Sequence, residues 1–209
     1  KAVKVCVFCD RSGPTANVGV KVCPGVQDYF ELLNSTGGLC GVKIDAIEIE
    51  HKYSVPMAVE GYKKFKERDQ VVLILSYGTP ITEALTPFAT KDKIPLITPG
   101  FGLSDSEDGV KYPYTYVGVA SYHSQMSAVL AYVKEAYKGT GKPKAAYVYY
   151  DNPAGRDPLP VLKAVAAKLG IDVVAEAGIA APGIDVSAQM LQVQKAEPDF
   201  IISHTFGKA

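Results

Sequence analysis

One stretch of the chain, residues 70–104, constrains the fold more than any other. It reads QVVLILSYGTPITEALTPFATKDKIPLITPGFGLS. The unbroken apolar run at residues 71–75 is typical of a strand that is covered on both faces in a parallel sheet. A second apolar run lies at residues 94–98. Between the two runs, apolar residues recur at the spacing of one helix face, at Ile81, Ala84, Leu85, Phe88 and Ala89. The pattern predicts a β-α-β unit with two parallel strands.

Small, polar turns follow both strands of this unit. The first turn is SYGTP at residues 76–80, and the second is PGFG at residues 99–102. We predict that Thr79 caps the helix and that Pro80 takes the first helical position. Ligands of open α/β sheets bind at the loops that follow the carboxyl ends of strands. These two turns are therefore the candidate site.

The rest of the first half alternates in the same way. Strands are predicted at residues 3–8 and 42–49, and helices from residues 17–20 to 34 and at residues 55–66. Residues 114–119 are predicted to form a further strand or an extended crossover. The strand at 42–49 alternates apolar and polar residues, which indicates a place near the sheet edge. The order predicts a doubly wound parallel sheet with strand order 2-1-3-4-5, so the turns at 12–14, 77–79 and 100–102 converge on one crevice. The predicted inward face of the first helix is Val22, Val26, Tyr29, Phe30 and Leu33, and Pro24 is expected in or near its first turn.

The pattern restarts at Ser121. Strands are predicted at residues 145–150, 171–175 and 200–203, with helical patterns between them. The fold class is therefore α/β, with two Rossmann-like, doubly wound lobes over residues 1–119 and 120–209. The second lobe has too few strands to close a sheet, so we expect it to continue beyond Ala209.

Composition excludes several partners. Lysine plus arginine and aspartate plus glutamate both number 22, so net charge favours neither nucleic acid nor an anionic membrane. No apolar run approaches the roughly 18 residues that span a bilayer. The chain begins at Lys1 without a methionine or signal peptide, which fits a mature exported protein or a trimmed fragment.

The four cysteines are Cys6, Cys9, Cys23 and Cys40. Cys6 and Cys9 are three apart in a strand, so their side chains point to opposite faces and do not form a metal or redox pair. We predict that Cys6 is a buried, small hydrophobic residue. A helix of more than three turns separates Cys23 from Cys40, too far for a bridge. A Cys9–Cys23 pairing at the strand end stays open.

No motif of an enzyme is present. The chain has no G-x-S-x-G elbow, no phosphate-binding P-loop and no G-x-G-x-x-G after its first strand. We therefore predict no catalytic residues, no metal and no cofactor. The three histidines lie in separate segments without metal-ligand spacing. His51 is predicted to be exposed, whereas His123 and His204 either meet a ligand or serve in packing.

Five short segments carry a resemblance to a known family. Two of them lie in the first half before the stretch at residues 70–104: Ser12-Gly13-Pro14 after the first strand, and Gly37-Gly38, with Gly41 close behind, before the second strand. The other three are the region of Thr82, Thr98-Pro99-Gly100, and residues 151–155 of the second lobe. In order and spacing, over essentially the whole chain, they resemble the type I periplasmic binding proteins, in particular the leucine/isoleucine/valine-binding branch that serves ABC transporters.

The resemblance implies two lobes that close over a small ligand, with a hinge near residues 118–124. It assigns the grip on a carboxylate and ammonium to Thr79, to the backbone of Tyr77 and Gly78, and to Gly100 and Gly102. Two positions depart from the family, because Gly102 replaces a hydroxyl-bearing residue and Val18 an aromatic one. The expected ligand-binding residues are Ser12, Tyr77, Gly78, Thr79, Gly100, Phe101, Gly102, Tyr122, Tyr150 and Phe206.

The resemblance therefore implies a periplasmic or extracellular solute-binding protein whose signal peptide has been removed. It would capture an amino acid or an aromatic acid and deliver it to the membrane permease of an ABC importer. Two alternatives stay open. One is the ligand-sensing domain of a receptor or regulator with the same fold, and the other is a Rossmann-like enzyme.

Overall fold

The computed structural model describes residues 2–99, 103–180, 183 and 185–206. The chain divides into two compact units, Lys1–Val119 and Ala120–Ala209. Each unit is built on its own parallel β-sheet. Within the described residues, no helix is both long and apolar enough to cross a membrane.

The sheet of the first unit has five parallel strands in the order β2-β1-β3-β4-β5. This confirms the predicted strand order and the edge position of β2. The connections reverse direction between β1 and β3, which is where open sheets of this kind bind ligands. The strands are β1 (Ala2–Cys9), β2 (Lys43–Glu50), β3 (Leu73–Leu75), β4 (Leu96–Thr98) and β5 (Thr115–Val117).

Three α-helices belong to this sheet: α1 (Ala16–Ser35), α2 (Val55–Lys64) and α3 (Thr79–Asp92). A π-helical turn, Phe65–Asp69, continues α2, and a 3₁₀ turn, Ser104–Glu107, precedes β5. The prediction of Thr79 as the cap of α3 is wrong. Gly78 is the capping residue, with φ 92°, and Thr79 is the first helical residue. Glycine adopts positive φ without the steric cost that threonine would meet there.

Helix α1 differs from its prediction at Tyr29 and Pro24. Its fully buried residues are Gly19 and Cys23, and the side chain of Tyr29, predicted to be inward, is 61% exposed. A disulfide joins Cys23 to Cys9 at the end of β1. Since six residues correspond to about 600° of rotation, fixing Cys23 toward the sheet turns Tyr29 toward solvent. Pro24 lies inside the helix rather than near its first turn.

The disulfide settles the pairing that the sequence left open. The Cα atoms of Cys9 and Cys23 are 6.2 Å apart, within the range of native bridges. Cys6 is free and fully buried, as predicted, and Cys40 is free and exposed. Cys6 faces the opposite side of the sheet, in a core formed by β1, β3, β4, α2 and α3.

The second unit has a three-stranded parallel sheet in the order β7-β6-β8. Its strands are β6 (Lys144–Tyr150), β7 (Asp172–Ile179) and β8 (Phe200–His204). Its helices are α4 (Tyr122–Ala136), α5 (Pro153–Arg156), α6 (Leu159–Leu169) and α7 (Ser187–Lys195). Helices α4 and α6 pack on one face of β6 through Leu130, Tyr147 and Leu162, which are fully buried.

Candidate functional site

The turn after β1 is folded around Asp10, a residue that the sequence analysis did not single out. Its side chain is fully buried. The carboxylate accepts hydrogen bonds from the backbone N–H of Gly13 at 2.5 Å and from both the N–H and the hydroxyl of Thr15, at 2.9 Å and 2.6 Å. These bonds satisfy the buried charge and fix the chain just before α1 begins. An aspartate that binds backbone N–H groups a few residues ahead is a turn signal that the sequence does contain.

The same turn is held to the end of β2. Arg11 makes a two-pronged ion pair with Glu48, at 2.6 Å and 2.7 Å, and its backbone N–H donates to Glu50 at 2.6 Å. The hydroxyl of Ser12, a predicted ligand contact, donates to the Glu50 carboxylate at 3.4 Å. Ser12 is exposed, and its contact with a ligand stays a prediction.

Tyr77 joins the turn after β3 to the turn after β1. Its hydroxyl donates to the backbone carbonyl of Thr15 at 3.1 Å. Its ring belongs to the core and is 3% exposed. The ring therefore packs inside the unit, and the contact of Tyr77 with a ligand stays a prediction. The turns after β1 and β3 thus meet at the switch point of the sheet.

The N-terminus of α3 lies directly after this point. Thr79 is buried in the first turn of α3, 1% exposed. Thr82 donates its hydroxyl to the Gly78 carbonyl at 3.0 Å and lies 2.9 Å from the hydroxyl of Ser76. The positive end of the helix dipole and the N–H groups of a first helical turn favour a bound anion. This turn therefore has the chemistry to receive a carboxylate.

The prediction that His51 is exposed is wrong. His51 follows β2, and its side chain is fully buried. It packs among the rings of Phe8, Tyr53 and Tyr77, with centroids 5.9 Å, 6.5 Å and 6.1 Å away. Its Nδ1 accepts a hydrogen bond from the backbone N–H of Tyr53 at 3.0 Å. The flanking residues Glu50 and Lys52 are polar, but the rings of Phe8 on β1 and of Tyr77 after β3 pack against the histidine.

The electrostatics of His51 favour the neutral imidazole. Burial lowers the pKa of His51, and the nearby carboxylates of Asp10 and Glu50 oppose that effect without cancelling it. Because Nδ1 accepts a hydrogen bond, the proton of the neutral ring is on Nε2. Among the described residues, Nε2 has no hydrogen-bond partner.

In the second unit, two predicted site residues contact His204, and a third contacts one of these two. The ring of Tyr122 lies edge-on to His204, with centroids 4.6 Å apart. Phe206 is 6.1 Å from His204 and makes an edge contact with Tyr150 at 5.3 Å. Burial lowers the pKa of His204. The structure thus gathers Tyr122, Tyr150 and Phe206 into one aromatic cluster at the carboxyl ends of β6 and β8, and their ligand contacts stay predictions.

Two further predictions concern residues near these sites. The Nε2 of His123 lies 3.0 Å from the backbone carbonyl of Asp157, which is a packing role within the second unit. Gly100, Phe101 and Gly102 lie outside the described residues, so their roles stay predictions. Within the part of the chain that the structure describes, no three histidine, cysteine, aspartate or glutamate side chains are grouped to hold a metal ion.

Comparison with known proteins identifies the family. A family model described as periplasmic binding protein matches residues 2–209. The structure of a protein from the Pseudomonas fluorescens group, described as an ABC transporter permease, is 32% identical over 99% of this chain, with a TM-score of 0.84. A fatty acid ABC transporter substrate-binding protein from Thermomonospora curvata is 25% identical over 97%, also with a TM-score of 0.84.

A branched-chain amino acid ABC transporter from Thermus thermophilus, with bound valine, has a TM-score of 0.88 at 21% identity over 98% of this chain, which shows the shared fold. This chain spans 51%, 51% and 53% of the Pseudomonas, Thermomonospora and Thermus chains, about half of each. No curated protein sequence matches it significantly.

Proposed function

This chain belongs to the periplasmic binding protein family, the type I solute-binding proteins of ABC transporters, and we propose that it captures a small carboxylated ligand outside the cytoplasm for an ABC importer. The ligand is an amino acid or an aromatic acid, and the partner that receives it is the membrane permease. The family consists of transport binding proteins rather than enzymes.

The observation that carries the proposal is the arrangement at the switch point of the first sheet. The turn after β1 is closed by Asp10, Tyr77 ties it to the turn after β3, and α3 begins there with Gly78 as its cap. A preorganised helix N-terminus suits a carboxylate because its N–H groups need no rearrangement to bind. Two of the similar solved proteins, one with bound valine and one described as a fatty acid transporter protein, have carboxylates as their ligands.

The disulfide supports the proposed location. A bridge between Cys9 and Cys23 forms and persists in oxidising compartments such as the periplasm and the extracellular space. The proposal therefore places the mature protein in the periplasm or outside the cell.

The experiment is a thermal-shift screen of amino acids, amides, aromatic carboxylates and short fatty acids on the full-length protein, with calorimetry of every hit. A ligand at one hundred times its Kd stabilises the folded state by about 2.7 kcal/mol. The double variant Thr79→Ala, Phe101→Ala should weaken binding more than tenfold. Thr140→Ala, at an exposed loop of the second unit, is the control. Unchanged affinity in the double variant contradicts the site, and no hit among the carboxylates contradicts the ligand class.

A further inference from the structure

The segment that follows β2 has an unusual backbone. Lys52 and Tyr53 are consecutive non-glycine residues with positive φ, 52° and 59°. Residues with side chains adopt this left-handed region rarely, and two in a row are held only where the surroundings determine them. The segment therefore has contacts that fix it.

Those contacts come from His51 and Glu50. The Nδ1 of His51 accepts from the N–H of Tyr53 at 3.0 Å, and the carbonyl of His51 accepts from the N–H of Ser54 at 2.8 Å. Glu50 accepts from the N–H of Lys52 at 2.9 Å. His51 is itself anchored to β1, because its N–H donates to the Cys9 carbonyl at 2.9 Å. The strained segment is thus fastened to the end of β1.

These contacts fix the position of one aromatic ring, that of Tyr53. The ring of Tyr53 lies against Gly78, the capping residue of α3, so closely that a β-carbon on Gly78 would fall 2.5 Å from Tyr53 Cε2. Tyr53 is half-buried. Its ring packs against the His51 ring, which in turn packs against the Tyr77 ring. The first turn of α3 therefore has a rigid aromatic neighbour on a different loop.

We propose that Tyr53 is a specificity-determining residue of the ligand site, whose ring flanks the carboxylate position at α3 and selects carboxylates with an aromatic body. His51 is its positioning residue, acting through the Tyr53 backbone. This inference rests on the proposed function, because it takes the N-terminus of α3 as the carboxylate site. A ligand held there by its carboxylate has its first body atoms beside the Tyr53 ring, and offset or edge-on ring contacts favour an aromatic body over a flexible chain.

The two nitrogens of the His51 ring differ in what they bind. The buried Nε2 has no hydrogen-bond partner among the described residues, which destabilises the fold, whereas Nδ1 accepts from the Tyr53 N–H. An apolar side chain would avoid the unpaired Nε2 but would leave the Tyr53 N–H without this acceptor. Histidine at this position therefore fits a residue that holds the Tyr53 backbone in a set conformation.

The test uses the full-length protein and two carboxylates of similar size, benzoate and hexanoate, measured by calorimetry. The wild type should favour benzoate. Tyr53→Leu, which keeps the bulk and removes the ring, should lower the benzoate-to-hexanoate affinity ratio by about three- to tenfold. Tyr53→Phe should keep the ratio within about twofold, and so should Tyr29→Leu, a matched control at an exposed tyrosine of α1.

His51 is tested by rescue. His51→Leu removes the Nδ1 acceptor and should lower the same ratio, whereas His51→Asn, which keeps an acceptor near that position, should restore it. The melting temperature and the hexanoate affinity of each variant report whether it folds.

The outcomes separate this inference from the proposed function. Absence of any carboxylate binding by the wild type overturns the proposed function. Binding with a preference for hexanoate, or a ratio unchanged in Tyr53→Leu, leaves that function standing and overturns this inference alone.

Discussion

The ring of Tyr53 occupies the space that a side chain on Gly78 would need. A β-carbon built on Gly78 would fall 2.5 Å from Cε2 of the ring and 3.2 Å from two further ring atoms. Gly78 also has φ 92°, a conformation that other residues rarely adopt. Two independent constraints, one steric and one conformational, thus require glycine at the start of α3, and they link the loop after β2 to the loop after β3.

Replacing Gly78 by alanine should destabilise the protein. The new methyl group meets the Tyr53 ring, and the positive φ adds strain, so we expect a loss of about 1–3 kcal/mol in the free energy of unfolding. Urea denaturation measures it. Gly25→Ala is the matched control, because Gly25 lies in α1 with nothing within 4 Å of the position that an added methyl group would take. That variant should gain up to about 1 kcal/mol. Equal stability of the two variants would contradict the assigned contact.

Reducing the Cys9–Cys23 disulfide should also destabilise the protein. The bridge closes a loop with a sequence separation of 14, and closing a loop of about 15 residues restricts the unfolded chain by about 3 kcal/mol. We expect a loss of that order in the free energy of unfolding when reductant is added before urea denaturation. In Cys9→Ala, Cys23→Ala the reductant should change nothing, since Cys6 and Cys40 are free. A reductant effect that persists in this variant would assign the stabilisation elsewhere.

The fold was largely predictable because its signals are local. The apolar runs at residues 71–75 and 94–98 and the helix spacing between them predict a β-α-β unit without knowledge of distant contacts. The strand order then follows from the rules of doubly wound sheets. Tyr29 was misjudged because the orientation of α1 depends on the bridge from Cys23 to β1, which periodicity does not encode. Pro24 was misjudged because α1 begins as early as Ala16.

The turns of the candidate site were predictable from the sequence, whereas the residues that pack against these turns were not. Glycine and small polar residues after β3 indicated the candidate turn, and the structure brings that turn to the one after β1 through Tyr77 and Thr15. His51 and Tyr53 were missed because their roles come from neighbours on other strands. The sequence around them, EHKYS, reads as a polar loop, and only the packing of β1 and β3 shows the histidine to be buried.

The stability of the protein should fall as the pH drops below about 6.5. Burial lowers the pKa of His51 in the folded state, whereas the unfolded value is near 6.5. Below that pH the unfolded chain binds more protons than the folded chain, so the free energy of unfolding rises with pH. The contribution is complete above the unfolded pKa and is lost as the pH falls from there toward the folded pKa.

Urea denaturation at pH 7.5, 6.5 and 5.5 measures this dependence. One histidine contributes at most about 1.4 kcal/mol per pH unit, and His204, whose pKa burial also lowers, adds to it. His51→Gln should show a shallower slope than the wild type. Gly78→Ala, destabilised without the loss of a histidine, should keep the wild-type slope. Identical slopes in wild type and His51→Gln would exclude the imidazole of His51 as a source.

The side chain of Asn34 joins the end of α1 to the edge strand, and its loss should be costly. Its amide nitrogen donates to the Ile44 carbonyl at 2.7 Å, and its amide oxygen accepts from the Ile44 N–H at 2.7 Å. Asn34→Ala leaves both backbone groups of β2 without these partners, so we expect a loss of about 1–3 kcal/mol in the free energy of unfolding. Asn34→Asp keeps the acceptor but sets an oxygen against the Ile44 carbonyl, so it should also lose stability.

Urea denaturation of both variants, together with hydrogen exchange at the Ile44 amide, makes the assignment specific. The amide of Ile44 should exchange faster in Asn34→Ala, because its acceptor is gone. The control is the amide of Ile74 in the central strand β3, which donates to the Pro95 carbonyl at 2.9 Å. Its protection relative to global unfolding should not change. Stability unchanged in Asn34→Ala would contradict the structural role of this amide.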